Sequence, residues 1–214
     1  MDNVLFSDIF DYNEKLLDKY FRIGLNYDVV ATKFNAGGRK AKLYFVDGFI
    51  NGETSERVMN FMMQASEVDK GVTTAEEFAQ RLIAYMEIEL SKDIEKIAKV
   101  VYSGAMLVIV DGFDTGFLVK TRSYPKRSVC EPDNDKVLSG AHDGFVESIL
   151  INTALIRRRI RDRDLVMEVR EAGAKSKTDI AICYLKGKAD EKTVDDLRQR
   201  IDKIEVNTLN MSQE

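Results

Sequence analysis

Tryptophan is absent from this sequence, and proline, cysteine and histidine nearly so, with two, two and one residues among 214. Cys130 and Cys183 stand far apart, so neither a disulfide framework nor metal-ligand spacing is visible, and reduced thiols in a cytosol-like compartment are the simpler expectation. One imidazole, His142, leaves no Ser-His-Asp or Cys-His set, and one histidine with two distant cysteines makes no structural zinc site. No stretch approaches the ~20 apolar residues of a membrane span, and residues 1–10 lack the basic and apolar regions of a signal peptide; the chain by itself is expected to be soluble. Charge of one sign is not in excess either. With 32 basic and 36 acidic residues the net charge is −4, which argues against a general binder of nucleic acid or anionic membrane.

What is there is an ordinary globular composition, 44% hydrophobic and 32% charged, long enough for one large or two small domains. Both prolines, Pro125 and Pro132, fall in 121–138 beside Arg122, Lys126, Arg127, Glu131, Asp133 and Asp135. That segment is short of apolar anchors and reads as a linker. The expected organisation is a subdomain over 1–121, a linker over 122–138, a second subdomain over 139–206 and a tail over 207–214.

The densest pattern lies in 139–187. Helical spacing predicts a helix over 143–160, with Asp143 as N-cap, Phe145, Ile149, Ile156 and Ile160 on one face, and Val146 and Leu150 widening it. Ile151 and Leu155 project to the far side, so the helix needs two partners: its own hairpin, and either a neighbouring domain or a second copy. Asn152 and Thr153 lie within the stripe and need hydrogen-bond partners, expected on the adjacent hairpin or linker. Arg157, Arg158 and Arg159 resemble an anion patch until about 100° per residue is applied; they radiate, and their place in the last turn suits salt bridges and the helix dipole. Two strands, 165–170 and 178–185, follow around a turn in which Gly173 is free to take positive φ.

Earlier in the chain, helices are predicted over 12–25, with Gly24 as the stop, over 54–65, with Val58, Phe61, Met62 and Ala65 inward, over 75–85, with Thr74 and Glu77 as a capping box, and from Ile94 to near Gly104. Strands are predicted over 28–34 and 41–46 around a turn at 35–38, over 86–90, and over 105–110 and 117–120. Helix-strand-strand thus occurs three times. The fold class is α+β: two subdomains, each a mixed or antiparallel sheet covered by helices.

No motif carries catalysis. Gly173-Ala174-Lys175-Ser176 resembles the end of a phosphate loop, but Glu168 stands where its first glycine belongs and strands flank it on both sides. Lys175 and Lys177 beside Ser176 and Thr178 offer at most a small-anion site, with a plain surface turn as the alternative. Acidic pairs such as Asp47 and Glu53, Asp111 and Asp114, or Asp195 and Asp196 sit at turns and helix starts, without the apolar enclosure of a general acid and base. No cofactor is expected. A binding or assembly module is the reading, and a small polar ligand in the inter-subdomain cleft, lined by Asn152, Arg127 and Arg159, is the alternative.

One resemblance sharpens this. The run EPDNDKVLSGAHDGFVESILINTALIRRRI, followed by LVMEV, GAKSKTDIAICYLKG and RQRIDKI, resembles the A subunits of the GerA family of spore-germination receptors, closely over about 122–206 and earlier only in pattern. The family usually has Arg-Gly-Pro where this chain has Ser139, Gly140 and Ala141. The resemblance implies a non-enzymatic signalling and assembly domain of a nutrient germinant receptor. Its partners would be B and C subunits, other A-subunit copies and, in the ligand reading, a polar germinant. It implies a place on the cytoplasmic, spore-core side of the spore inner membrane, with a membrane region after residue 214. Interface and relay residues would be Asp143, Phe145, Glu147, Ile151, Asn152, Leu155, Arg157, Arg158 and Arg159, with Arg122, Pro125, Arg127, Glu131 and Pro132 in the linker.

Overall fold

A computed structural model of the protein describes residues 6–50, 52–64, 72–82, 87–121 and 144–209. The linker residues Arg122, Pro125, Arg127, Glu131 and Pro132, and the expected cap Asp143, lie outside these. The described elements run α1 (Phe10–Phe21), β1 (Val29–Ala36), β2 (Arg39–Val46), α2 (Gly52–Gln64), α3 (Ala75–Leu82), β3 (Ile88–Ser91), α4 (Ile94–Val101), β4 (Met106–Val110), β5 (Gly116–Val119), α5 (Ile149–Arg159), β6 (Leu165–Ala172), β7 (Thr178–Leu185) and α6 (Glu191–Asp202).

The fold is α+β, and all its strand pairs are antiparallel. Five strands form one sheet in the order β1-β2-β4-β5-β3, and β6 and β7 form a second. Of the mixed and antiparallel arrangements expected, the described strands adopt the antiparallel one. The first two helix-strand-strand units do not build separate sheets: their hairpins abut edge to edge, with Ala41 opposite Val110 and Tyr44 opposite Leu107, and the helical excursion carries β3 to the far edge beside β5. Because β4 is covered on both faces, its sequence MLVIV is buried at every position. Leu107 and Ile109 face α1 and α4, while Met106, Val108 and Val110 face α2 and α3. Gly37 and Gly38, with φ of 58° and 89°, make the two-residue turn between β1 and β2 that only residues tolerant of positive φ adopt cheaply.

Local chemistry accounts for most element ends. Asp93 caps α4 by accepting from the amides of Glu95 and Lys96, and Thr74 caps α3 through the amide of Glu77, as the capping box predicts. Helix α1 stops earlier than expected: Arg22, not Gly24, takes the left-handed cap, with φ of 52°. Phe61 on α2 points outward, leaving Val58 and Met62 as the inward pair.

The largest correction concerns α5. It begins at Ile149 behind Ser148, five residues after the expected cap, and residues 144–148 are not helical. The expected inner stripe is not buried either: Phe145 is 69% exposed and Ile160 38%. The face turned inward is Thr153, Ala154, Leu155 and Arg157. A hydrophobic periodicity cannot see a face whose members include a threonine, an alanine and an arginine.

One local device recurs. The Asn13 amide accepts from the backbone N–H of Ser7 at 2.9 Å and donates to its carbonyl at 2.6 Å. Asn152 does the same to Val146, at 2.7 and 2.6 Å. Each asparagine is the fourth residue of its helix and grips the residue six before it, standing in for an N-cap side chain that neither Ile9 nor Ser148 supplies. The partner of Asn152 is thus the entering segment, not the hairpin or linker.

Candidate functional site

The sheets meet where the connection from α1 to β1 passes beneath α5 and beside β6. Three consecutive residues reach across. Asn26 anchors itself to the carbonyl of Phe21 at 3.1 Å and accepts from the amide of Met167 at 3.1 Å. Tyr27 donates its amide to the carbonyl of Met167 at 3.0 Å, and its hydroxyl is hydrogen-bonded to that of Thr153 on α5. Asp28 receives Arg157 on both carboxylate oxygens, Nε to Oδ2 at 2.8 Å and Nη2 to Oδ1 at 3.0 Å. Two side chains at the seam also face low polarity: burial pushes the hydroxyl pKa of Tyr27 up, and the thiol of Cys183 likewise.

The Asp28–Arg157 pair is the centre of this seam. Both side chains are essentially inaccessible, at 1% and 0%. The remaining guanidinium nitrogen donates to the carbonyls of Leu165 at 3.1 Å and Asp162 at 3.3 Å, and the guanidinium lies 5.1 Å from the centre of the Tyr102 ring. Arg157 therefore ties together the start of β1, the end of α4 and the entry to β6. Desolvating two charges costs several kcal/mol per ion, and here the bidentate geometry and two carbonyls, which together take four of the five guanidinium N–H groups, offset that cost. Beside it, Gly48 at φ 80° turns its backbone against α5, where an added Cβ would lie 3.1 Å from that of Ala154. At the rim, Arg22 reaches Asp164 at 2.6 Å and the carbonyl of Arg163.

The other residues singled out from the sequence are scattered. Leu155 is buried, Ile151 half-buried, and Phe145, Glu147, Arg158 and Arg159 are exposed, so the three arginines do radiate and only Arg157 enters the interior. Ser176, Lys177 and Thr178 sit at the far tip of the β6–β7 hairpin, away from Asn152 and Arg159. Asp28 was missed because an aspartate before a Val-Val run looks like a strand start. Its signal was there in combination: an acid at the mouth of a strand and one arginine on the same helical face as Thr153 and Ala154.

An open cleft of about 830 Å³ adjoins the seam, between Tyr20 and the α4 face of Glu95, Lys96, Lys99 and Tyr102 on one side and residues 161–164 on the other. Burial pushes the hydroxyl of Tyr102 up to about 12, and among the described residues that hydroxyl has no hydrogen-bond partner. The described residues contain no cluster of three His, Cys, Asp or Glu side chains able to hold a metal ion.

The crystal structure of the N-terminal domain of the A subunit of the Bacillus megaterium spore germinant receptor GerK3 superposes with a TM-score of 0.75 at 22% identity, covering 96% of this chain and 75% of that one. The family model described as Bacillus/Clostridium GerA spore germination protein matches residues 15–214, and the chain belongs to the GerA family. The kinship thus extends well before residue 122, over a stretch where the residues resemble the family only in pattern. Stage V sporulation protein AF of Bacillus subtilis (strain 168) is 33% identical over 200 residues, 94% of this chain and 41% of that protein. The uncharacterized membrane protein YfkQ of the same organism is 28% identical over 185 residues, 85% of this chain and 36% of that protein. Spore germination protein KA, also from that organism, is 24% identical over 190 residues, 87% of this chain and 35% of that protein. The chain spans between 35% and 41% of the length of these three relatives. No described helix is long and apolar enough to cross a membrane.

Proposed function

We propose that the chain is the signalling and assembly domain of a germinant-receptor A-type subunit, working through protein–protein contacts, with no bond made or broken in it. Its subdomains, 1–121 and 139–206, act as two lobes whose relative position is the signal. The partners are B and C subunits and other copies of the A-type subunit. The site of action is the core side of the spore inner membrane, reached through a membrane region that follows this domain. The observation carrying this reading is the buried Asp28–Arg157 pair, because such a seam fixes one docking geometry and penalises every partly opened one. Phe145 and Glu147, exposed ahead of α5, together with the half-buried Ile151, offer the surface for a partner. The test is Glu147→Lys and Ile151→Asp in the spore-borne subunit. Loss of receptor assembly and germination is expected, while the purified domain keeps its circular dichroism and melting point. Normal germination at normal protein level would remove the proposal.

A second reading has one observation in its favour, the partnerless buried hydroxyl of Tyr102 in the wall of the cleft. In it, a small polar ligand fills the cleft and bridges α4 to residues 161–164. A thermal-shift screen with amino acids, sugars and nucleosides tests it, since a ligand that favours the native form raises the melting point. A screen without shifts at millimolar concentration rejects it.

A further inference from the structure

The tip of the β6–β7 hairpin holds the chain's own exit segment. After α6 the backbone crosses the turn at 173–178, and the contacts are specific. The amide of Ala174 donates to the carbonyl of Val206 at 2.9 Å, and those of Lys175 and Ser176 to the carbonyl of Asn207 at 2.9 and 3.2 Å. In return, the amide of Leu209 donates to the Ser176 hydroxyl at 3.1 Å, and the Thr178 hydroxyl donates to the carbonyl of Leu209 at 2.9 Å. Gly173, at φ 89°, lets the turn close: a Cβ there would lie 2.5 Å from the Ser176 oxygen and 3.7 Å from Asn207 and Leu209 backbone atoms.

These amides would otherwise form the anion nest that the basic turn resembles. Three of them are taken by peptide carbonyls, so what this turn holds is backbone. The opposite end of the same hairpin is the end fastened at the seam. The carbonyl of Leu165 receives Arg157, Asp164 receives Arg22, and Met167 is hydrogen-bonded to Asn26 and Tyr27. Between the two ends lies an uninterrupted antiparallel ladder of eight residue pairs, Leu165 with Leu185 through Ala172 with Thr178. Helices α5 and α6 pack against this two-stranded ribbon.

We propose that the 173–178 turn is a docking clamp for residues 206–209, so that a shift of the lobes at the Asp28–Arg157 seam is delivered along the hairpin to whatever follows residue 209. This rests on the reading above that a membrane region lies beyond this domain. The decisive variant is Ser176→Ala with Thr178→Val, which removes both side-chain bonds to Leu209 and leaves the ladder intact. Asn207→Ala is the control, since the clamp uses only the backbone carbonyl of that residue. Hydrogen exchange of the purified chain should quicken about tenfold at the clamp's N–H donors, Leu209 within 206–209 and Ala174, Lys175 and Ser176 in the turn, in the double variant, with β6 and β7 unchanged, and should not change in the control. In spores, the double variant should germinate poorly at normal protein level.

Unchanged exchange in 206–209 overturns the clamp. Faster exchange with undiminished germination, while Ile151→Asp still abolishes it, overturns the coupling and leaves the assembly reading standing. Normal germination in both variants overturns both.

Discussion

Replacing Arg157 by methionine tests the seam most directly. The change keeps most of the side-chain volume but strands the Asp28 carboxylate, 1% exposed, and frees the carbonyls of Leu165 and Asp162. Removing one partner of a buried pair costs about 3–5 kcal/mol, because an uncompensated charge remains. For a chain of this size each kcal/mol lowers the melting point by about 2–4 °C, so a fall of about 6–20 °C is expected. Asp28→Leu should fall in the same range, since it strands the guanidinium instead. The double variant Asp28→Leu with Arg157→Met removes both charges, and its cost should be well below the sum of the two singles. Urea unfolding of all four proteins closes the cycle, read at constant m-value so that the change in midpoint is a change in stability. If Arg157→Met shifts stability by less than about 1 kcal/mol, or if the single costs simply add, the pair does not hold the seam together.

Other expectations follow from particular side chains. Hydrogen bonds from Arg198 hold the Glu168 carboxyl below its usual pKa, against the opposing effect of burial and with help from Tyr184. A depressed folded pKa gives stability that is present above the unfolded value of about 4.3 and is lost as pH falls through the folded one, so the gap in melting point between the protein and Glu168→Gln should be open at pH 7 and close below about pH 4. Gly48→Ala should cost about 1–2 kcal/mol in denaturant unfolding, from the strain of φ 80° and the approach to Ala154. Asn13→Ala and Asn152→Ala should each cost about 1–3 kcal/mol, the larger loss falling at Asn13, which is buried, where Asn152 is half-buried.

How far the sequence carried depends on which force shaped each part. The hairpins and α4 were legible because apolar spacing and turn residues decide them locally: Ile94, Ile97, Ala98 and Val101 form the buried face of α4 as their spacing requires. The sheet's topology was not, because β2 meets β4 across some sixty residues of chain, and nothing local in Ala41 or Val110 records that pairing. The helix α5 misled for a different reason. Its apolar residues are spread around the axis, and its buried face is recognised by polar pairing with Tyr27 and Asp28, which lie more than a hundred positions away. Only the radiating of the three arginines could be deduced, from helix geometry; that one of them would be the most buried polar side chain of the seam could not.

The chemistry of the seam also bears on what the lobes can do. An apolar seam of the same size would tolerate sliding, since hydrophobic contact is non-directional and roughly proportional to area. Here Asn26, Tyr27 and Asp28 each make a directional contact: the first two meet Met167 and fail together if β6 moves by one residue relative to the connection beneath it, while Asp28 fixes Arg157 of α5. Partial opening exposes a buried charge to an unmatched environment before water can solvate it, so intermediate positions are disfavoured more than either end state. A seam joined in this way has few partly opened positions of low energy, whereas the Asp28→Leu with Arg157→Met protein has no charge pair to strand.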